Sequence, residues 1–175
     1  MPVRLDFRAL SPADALDLAV LMEEEARQRY IEFAEVLEEV HHNRDAAAFC
    51  RIMVTNEERH GSELLQRRQQ LYPSAPARVT ASMLFEVEAP EYERTAAFMT
   101  PRTCMEMALA AEIKAERFFR DALATISNAE VKGLLVELAD EEVEHQRMVR
   151  DQLARLPAED RLAREDVADE PVGQD

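Results

Sequence analysis

Two Glu-x-x-His pairs, Glu57 with His60 and Glu142 with His145, give the sequence its clearest chemical signal. Residues three positions apart on a helix lie on the same face, about one turn from each other. Each pair therefore presents a carboxylate and an imidazole side by side, and both are ligand types that suit iron. Each pair also falls within an apolar stripe at helical spacing, so we expect the four side chains to point into the protein.

Two single glutamates occupy the same kind of position on two other predicted helices. Glu23 interrupts the apolar stripe of the first helix, and Glu112 interrupts the stripe of the third. Each precedes an aromatic residue by seven positions, Tyr30 in one case and Phe119 in the other. A carboxylate on a face that packs into the core is costly unless its charge is compensated.

Together these positions form a set of four carboxylates and two imidazoles in one predicted layer. The six residues are Glu23, Glu57, His60, Glu112, Glu142 and His145. A buried unpaired charge costs several kcal/mol, and two divalent cations would cancel the four negative charges. Carboxylates can also hold paired metal ions about 3.5–4 Å apart. We therefore predict a site for two iron ions per chain, in which manganese or zinc could substitute.

The heights of these residues along their helices follow from a rise of about 1.5 Å per residue. Glu112 lies about 21 Å before the turn that follows its helix, and Glu142 and His145 lie about 20 and 24 Å after that turn. The second hairpin therefore brings its three residues level. In the first hairpin, Glu23 comes level with its partners only if its helix ends near Glu38.

The Glu-x-x-His spacing alone discriminates poorly, because all four histidines of this acidic chain have a glutamate three residues earlier. His41 and His42 share the spacing, but they fall at the predicted end of the first helix, where a cationic side chain favours the helix dipole. We therefore interpret these two as structural capping residues. A solvated charged face is the alternative for the six-residue set, and its placement in one layer of four helices argues against that alternative.

Four long helices must position these side chains, and start and stop signals locate them. The first runs from about 12 to 40, the second from its cap at Asp45 to just before Tyr72, the third from Pro101 to about Ile126, and the fourth from its cap at Asn128 to about Leu156. Ser11 and Thr100 precede the first and third helices, and each is followed by a proline suited to the first helical position.

Residues 73–99 show no sustained periodicity of apolar residues, so we expect them to form a long crossover, with a short helix at about Ala81 to Glu88. Two short loops and one long crossover are typical of a ferritin-like four-helix bundle made of two helical hairpins. The predicted fold is therefore all-α, with one bundle domain over residues 1–157. Residues 158–175 hold seven acids and little apolar content, which predicts a poorly ordered acidic tail.

The chain of 175 residues carries a formal net charge of −15, from 21 Lys and Arg against 36 Asp and Glu. Such a protein is a poor partner for nucleic acid or for an anionic membrane surface. No apolar run approaches the ~20 residues of a membrane span, and Met1 to Arg8 lacks the apolar stretch of a signal peptide. We therefore expect a soluble cytoplasmic protein.

Cys50 and Cys104 are too few for a disulfide framework or an iron–sulfur site, and we expect both to be buried.

These motifs resemble those of the rubrerythrin-like branch of the ferritin-like superfamily. The resemblance covers residues 11–156 and rests on four motifs, Glu23-x6-Tyr30, Glu57-x-x-His60, Glu112-x6-Phe119 and Glu142-x-x-His145. It implies a homodimer and a di-iron oxidoreductase that reacts with peroxide or dioxygen in oxidative-stress defence or iron handling. The roles it implies are bridging ligands for Glu57 and Glu142, terminal ligands for Glu23 and Glu112, and one iron each for His60 and His145.

Three features depart from the pattern of the peroxide-reducing members of that family. The chain has two cysteines rather than a four-cysteine rubredoxin domain, so the electron donor would be a separate protein. The position of an extra carboxylate, three residues after Glu112, is Ala115, and Glu116 is one residue out of phase. Phe119 replaces a tyrosine, so it can only pack, whereas the hydroxyl of Tyr30 is placed to hydrogen-bond a ligand carboxylate.

Three other functions remain compatible with the sequence. A di-iron hydroxylase of a quinone-type substrate would share the Glu-x-x-His helices, but it needs an open substrate pocket beside the metals. A ferritin-like ferroxidase would oxidise iron without turnover of another substrate and would form a large hollow assembly. A metal-free helical interaction module would use the acidic surface to bind a partner.

Overall fold

The structure, a computed structural model, describes residues 10–84, 99–124 and 126–157. Within these ranges it contains five helices, α1 (Pro12–Glu39), α2 (Arg44–Leu71), α3 (Ala81–Leu84), α4 (Pro101–Leu123) and α5 (Ala129–Arg155). The described residues contain no strand. The predicted all-α class is therefore confirmed.

The four long helices form two hairpins. α1 packs along α2, and α4 packs along α5, while contacts of α1 with α4 and of α2 with α5 join the two hairpins. The chain between α2 and α4 is the predicted crossover, in which α3 contacts α1. Ala81–Leu84 is helical as expected, whereas residues 85–88 of the predicted short helix and the acidic tail at 158–175 lie outside the described residues. The two hairpins and the long connection confirm the ferritin-like bundle.

Three of the four predicted helix starts are confirmed by their caps. The Ser11 side chain accepts a hydrogen bond from the backbone N–H of Asp14, whose carboxylate accepts in return from the N–H of Ser11. The Thr100 hydroxyl accepts from the N–H of Thr103. Asn128 accepts from the N–H groups of two residues in the first turn of α5. These bonds satisfy donors that a helix terminus would otherwise leave free.

The predicted cap of α2 was wrong. Asn43, two residues before Asp45, caps the helix, because its side-chain oxygen lies 3.1 Å from the N–H of Ala46 and accepts its hydrogen bond. Asp45 lies inside the first turn instead. A carboxylate there still interacts favourably with the positive end of the helix dipole, which explains why it resembles a start signal.

Two apolar clusters form the core, one toward each end of the bundle. On every long helix the change from one cluster to the other falls at the same height, between residues 22 and 30 on α1, 53 and 64 on α2, 108 and 118 on α4, and 139 and 149 on α5. The candidate ligands occupy these gaps. Polar side chains therefore form a layer between two apolar halves, as the heights along the helices predicted.

The end of α1 agrees with that register. The helix ends at Glu39, one residue past the position that the heights required. His41 follows it, and its Nε2 contacts the backbone carbonyl of Met99 at the end of the crossover. His41 therefore ties two chain segments together at one end of the bundle and does not join the buried layer. His42 is exposed and adopts a left-handed backbone conformation, with φ of 52°.

Cys50 and Cys104 are buried in the same apolar cluster, as expected. Among the described residues, no helix combines the length and apolar character that a membrane crossing requires.

Candidate metal centre

The structure brings all six predicted ligands together in the polar layer of the bundle. Their exposed fractions are 2% for Glu23, 1% for Glu57, 2% for His60, 3% for Glu112, 3% for Glu142 and 4% for His145. Each long helix contributes the ligands that its sequence pattern predicted. α1 and α4 each supply one glutamate, and α2 and α5 each supply a Glu-x-x-His pair.

The six side chains contain two groups of three that could each hold a metal ion. One group consists of Glu23, Glu57 and His60, and the other of Glu57, Glu112 and His145. Within each group, one ligand atom from every residue lies within 4.8 Å of the others. Glu57 belongs to both groups, so its carboxylate lies within reach of both candidate positions.

Distances within the layer show which atoms face each other. His145 Nδ1 lies 3.3 Å from Glu57 Oε1, 3.5 Å from Glu112 Oε2 and 3.6 Å from Glu142 Oε2. His60 Nδ1 lies 3.7 Å from Glu23 Oε2. The two imidazole rings stack between these carboxylates, with centroids 5.3 Å apart and planes 16° from parallel. Both histidines therefore turn Nδ1 toward the acids.

The layer is poorly satisfied by the protein alone. Among the residues that the structure describes, six buried side-chain atoms have no hydrogen-bond partner, and all belong to the candidate ligands: Glu23 Oε1 and Oε2, Glu57 Oε1, His60 Nδ1, Glu142 Oε2 and His145 Nδ1. Buried polar atoms normally have partners, and each one left without a partner costs about 1–3 kcal/mol. Cations between the carboxylates and imidazoles would bind these atoms, so the donor set fits a pair of metal ions.

Burial changes the protonation of the carboxyl groups. It raises the pKa of Glu23 to about 7. For Glu57 and Glu142, burial together with the negative charge of Glu112 raises the pKa well above its usual range. These directions agree with the prediction that like charges in a dry core cannot all ionise.

Glu112 and His145 form the charged pair of the metal-free layer. Burial alone would raise the pKa of Glu112, but the neighbouring His145 and Glu142 and the hydrogen bond from Tyr30 outweigh it and lower the pKa to about 2. Burial would likewise lower the pKa of His145, but the adjacent Glu112, 3.5 Å from Nδ1, and the charges of nearby carboxylates raise the pKa to about 9. At neutral pH the pair is therefore a carboxylate beside an imidazolium.

Tyr30 supports this layer from the first hairpin. Its hydroxyl is fully buried and donates a hydrogen bond to Glu112 Oε1 on α4, so the predicted contact with a candidate ligand is present. Burial and the charges of Glu112 and Glu57 raise the pKa of Tyr30, which keeps the hydroxyl protonated as a donor. Phe119, which takes the corresponding place in the second hairpin, packs edge-on against Phe118 with ring centroids 5.5 Å apart.

A small pocket reaches the layer between α1 and α4. It is lined by Met22, Glu23, Ala26, Arg29, Ala111, Glu112, Ala115 and Glu142. The empty volume of the pocket is about 260 Å³ when the space open to solvent is included. Its inner part has room for about one water-sized molecule. The small side chains of Ala26 and Ala115 leave this opening above the carboxylates.

Glu116, the out-of-phase acid on α4, does not enter the layer. Its Oε1 accepts a hydrogen bond from Arg120 at 2.7 Å, and its Oε2 accepts one from Gln146 at 2.8 Å. Ala115 therefore leaves the place of the extra carboxylate without a carboxylate from the described part of the chain.

Sequence reasoning missed two residues beside His60. Glu141 Oε2 lies 3.2 Å from His60 Nε2, and Arg59 Nη2 lies 2.7 Å from the same nitrogen. Both residues are sequence neighbours of predicted ligands, Arg59 of His60 and Glu141 of Glu142. A search for charged groups next to the ligands would have found them, because a ligating histidine usually has a partner on its other ring nitrogen.

Comparison with known proteins gives two similarities. A model of the rubrerythrin family matches residues 14–153. The chain is also similar to the crystal structure of an uncharacterized conserved protein from Magnetospirillum magnetotacticum MS-1, with 30% sequence identity, a TM-score of 0.73, and coverage of 85% of this chain and 97% of that chain. No curated protein matches the chain.

Proposed function

Because the chain belongs to the rubrerythrin family, we propose that its buried layer holds two iron ions and that the protein is an oxidoreductase of peroxide or dioxygen. The observation that carries the proposal is the set of six buried ligand atoms without partners, all on the predicted ligands. Membership of the family supports such a site, and the atoms without partners are an independent observation on this chain that favours cation binding.

In this proposal Glu23, Glu57 and His60 would hold one ion, and Glu57, Glu112 and His145 would hold the other. Glu142 Oε2, 3.6 Å from His145 Nδ1, would complete the set of donors, and the resemblance gives it the role of a second shared carboxylate. Four carboxylates balance two divalent cations, so the occupied layer would be neutral and compatible with the apolar clusters on either side. Manganese or zinc would fit the same donors.

Bound iron would supply electrons to the oxygen–oxygen bond of the oxidant. The protein's residues would control the access of water to the layer and the orientation of the ligands. The hydrogen bond from Tyr30 holds Glu112 in one orientation. The two apolar clusters exclude water from the layer on both sides.

The pocket supports a small oxidant over an organic substrate. It reaches Glu23, Glu112 and Glu142, yet its inner part admits about one water-sized molecule. Peroxide and dioxygen are of that order of size, whereas a quinone ring is much larger. The described part of the chain therefore favours peroxide or dioxygen over the quinone-type hydroxylase.

Electrons would come from a separate donor protein. Cys50 and Cys104 are the chain's two cysteines, and both are buried in the core. Four thiolates are needed for a rubredoxin-type iron site, so these two cannot form one. A homodimer in the cytoplasm remains part of this proposal by resemblance.

Iron oxidation is a second candidate function, and the surroundings of Ala115 favour it. The extra carboxylate of the peroxide-reducing members is absent at this position, and Glu116 is held outward by Arg120 and Gln146. A ferroxidase needs a two-iron site and a route for ferrous ions, and the net charge of −15 attracts cations.

Anaerobic loading with ferrous iron, followed by metal analysis and peroxide turnover with an artificial donor, tests the proposal. We expect about two iron ions per chain, and consumption of peroxide rather than of ferrous iron alone. His60→Ala and Glu142→Ala should abolish tight binding, whereas His41→Ala, which changes a histidine outside the layer, should leave it intact. Fewer than about one iron per chain, or equal losses in all three variants, would overturn the two-iron site.

A further inference from the structure

An arginine lines the small pocket that reaches the polar layer. Arg29 on α1 forms part of the pocket wall with Ala26 on the same helix and with Ala111 and Ala115 on α4. The Arg29 side chain is 12% exposed, so most of it is shielded from solvent. Of the described residues that line the pocket, Arg29 is the one with a positive charge. The wall therefore places a guanidinium near the candidate ligands.

The side chain of Arg29 is directed toward the start of α1. Its Nη2 lies 4.0 Å from Oε1 of Glu25, one turn earlier on the helix. This direction is the usual one for a long side chain on a helix. It places the guanidinium over the turn that contains Ala26, where Ala26 and Ala115 leave the pocket open. A guanidinium carries five N–H donors in a fixed fork, so it can serve more than one partner.

Metal binding would change the charge that the pocket presents to a ligand. Three of the lining residues are the glutamates Glu23, Glu112 and Glu142. Without metal ions, the negative charge of these residues opposes the entry of an anion. Two divalent cations would balance the four carboxylates of the layer. The positive charge of Arg29 would then make the pocket favourable for an anion.

We propose that Arg29 makes this pocket a binding site for a small oxyanion of the carboxylate type, such as formate or bicarbonate, when the layer holds its metal ions. The inference rests on the proposed function, because the anion is expected only beside an occupied layer. The planar fork of a guanidinium matches the two oxygens of a carboxylate. The chain's net charge of −15 repels anions at long range, so the affinity must come from contacts inside the pocket.

The size of the pocket limits the ligand. Its inner part has room for about one water-sized molecule, and the larger space outside that part opens to solvent. One oxygen of a small oxyanion can enter the inner part while the rest of the anion lies beside Arg29. The oxidant of the proposed function would use the same pocket, so a bound oxyanion would compete with it.

Saturation-transfer NMR of formate, titrated into the zinc-loaded full chain, tests the proposal. We expect binding to the zinc-loaded wild type and none to the metal-free wild type. Arg29→Gln should keep its zinc but weaken formate binding by about 10–100-fold, the effect of losing a hydrogen bond to a charged group. Arg27→Gln is a matched control, because Arg27 is on the same helix, pairs with Glu24 at 2.9 Å and does not line the pocket. It should bind formate as the wild type does.

A second variant changes the opposite wall of the pocket and leaves Arg29 in place. Ala115→Glu introduces a carboxylate on α4 that would fill the open part of the pocket and pair with the guanidinium. We expect this variant to bind zinc but not formate. Metal analysis of each variant shows whether the layer is still occupied.

The outcomes separate this inference from the proposed function. Wild-type protein that takes up no zinc overturns the two-metal site, and the inference with it. Zinc-loaded wild type that binds no formate overturns the inference alone. Formate binding that Arg29→Gln or Ala115→Glu leaves unchanged also overturns it, because the anion is then held elsewhere. An equal loss in Arg29→Gln and Arg27→Gln has the same consequence, since it shows a general effect of surface charge.

Discussion

Binding of two metal ions should release several protons, and their number follows from the protonation of the metal-free layer. At pH 7, Glu23, with a pKa of about 7, is about half protonated. His145, with a pKa of about 9, holds a proton, and burial raises the pKa values of Glu57 and Glu142 well above their usual range, which favours their protonated forms. Two bound cations require all four groups without protons, so Glu23 and His145 together should release about 1.5 protons per chain, and Glu57 and Glu142 should add to that number.

The pH dependence has a defined sign. A group with a pKa of about 7 gains its proton as the pH falls, so Glu23 adds more to the release at low pH. The release should therefore increase by about half a proton at pH 6 and decrease by about half a proton at pH 8, relative to its value at pH 7. Glu112 adds nothing in this range, because its pKa of about 2 leaves it ionised before the metal binds.

Isothermal titration of the metal-free protein with Zn²⁺, in buffers of different ionisation enthalpy, measures this release. Glu144→Gln is a suitable control, because Glu144 is exposed and pairs with Arg147, and it should leave the count unchanged. Release of less than about one proton at pH 7 would refute the reasoning, since it would show that the carboxyl groups are already ionised in the metal-free layer.

Four further results are expected. The metal-free protein should melt at lower temperature as the pH rises from 5 to 8, because ionisation of a buried carboxyl group with a raised pKa destabilises the fold. Ionisation of Glu23 alone should lower the free energy of unfolding by about 3 kcal/mol. A melting temperature that rises over this range would contradict the pKa directions. Tyr30→Phe should lower the free energy of unfolding by about 1.5–3 kcal/mol through loss of a hydrogen bond to a charged group, as measured by chemical denaturation. Asn43→Ala should cost about 1 kcal/mol in the same assay, and more than Asp45→Ala, because Asn43 is the cap of α2. Ala115→Leu should slow peroxide consumption without changing metal content, because it narrows the pocket; an unchanged rate would place the entry route elsewhere.

The sequence predicted the helices and the layer because both follow from local periodicity. A stripe with a 3.6-residue period shows which side of a helix faces the core, and it shows equally that Glu23 and Glu112 interrupt that side. A rise of about 1.5 Å per residue then converts sequence distance into height along the helix axis, so the sequence could predict that the ligands lie at the same height in the bundle. The same reasoning required α1 to end near Glu38, and it ends at Glu39.

Contacts between hairpins were harder to predict, because no local period encodes them. Glu141 on α5 lies 3.2 Å from His60 Nε2 on α2, and this contact depends on how far α5 is rotated against α2. The outward turn of Glu116 depends likewise on Gln146 of the neighbouring helix. The wrong cap of α2 has a smaller cause, since Asn43 and Asp45 are both good cap residues and only the backbone geometry at residue 43 selects between them.

The cost of the polar layer is itself an argument for bound metal. Replacing buried ionisable groups with apolar side chains of similar volume often stabilises a protein, so the metal-free bundle would gain from apolar residues at these six positions. The layer instead interrupts two apolar clusters on all four long helices at one height. Its atoms without partners all belong to the side chains whose types bind iron. Random polar substitution would scatter such atoms through the core, whereas a shared ligand requires them to converge. Cations bound in the layer would pair these atoms and offset the cost of burying them.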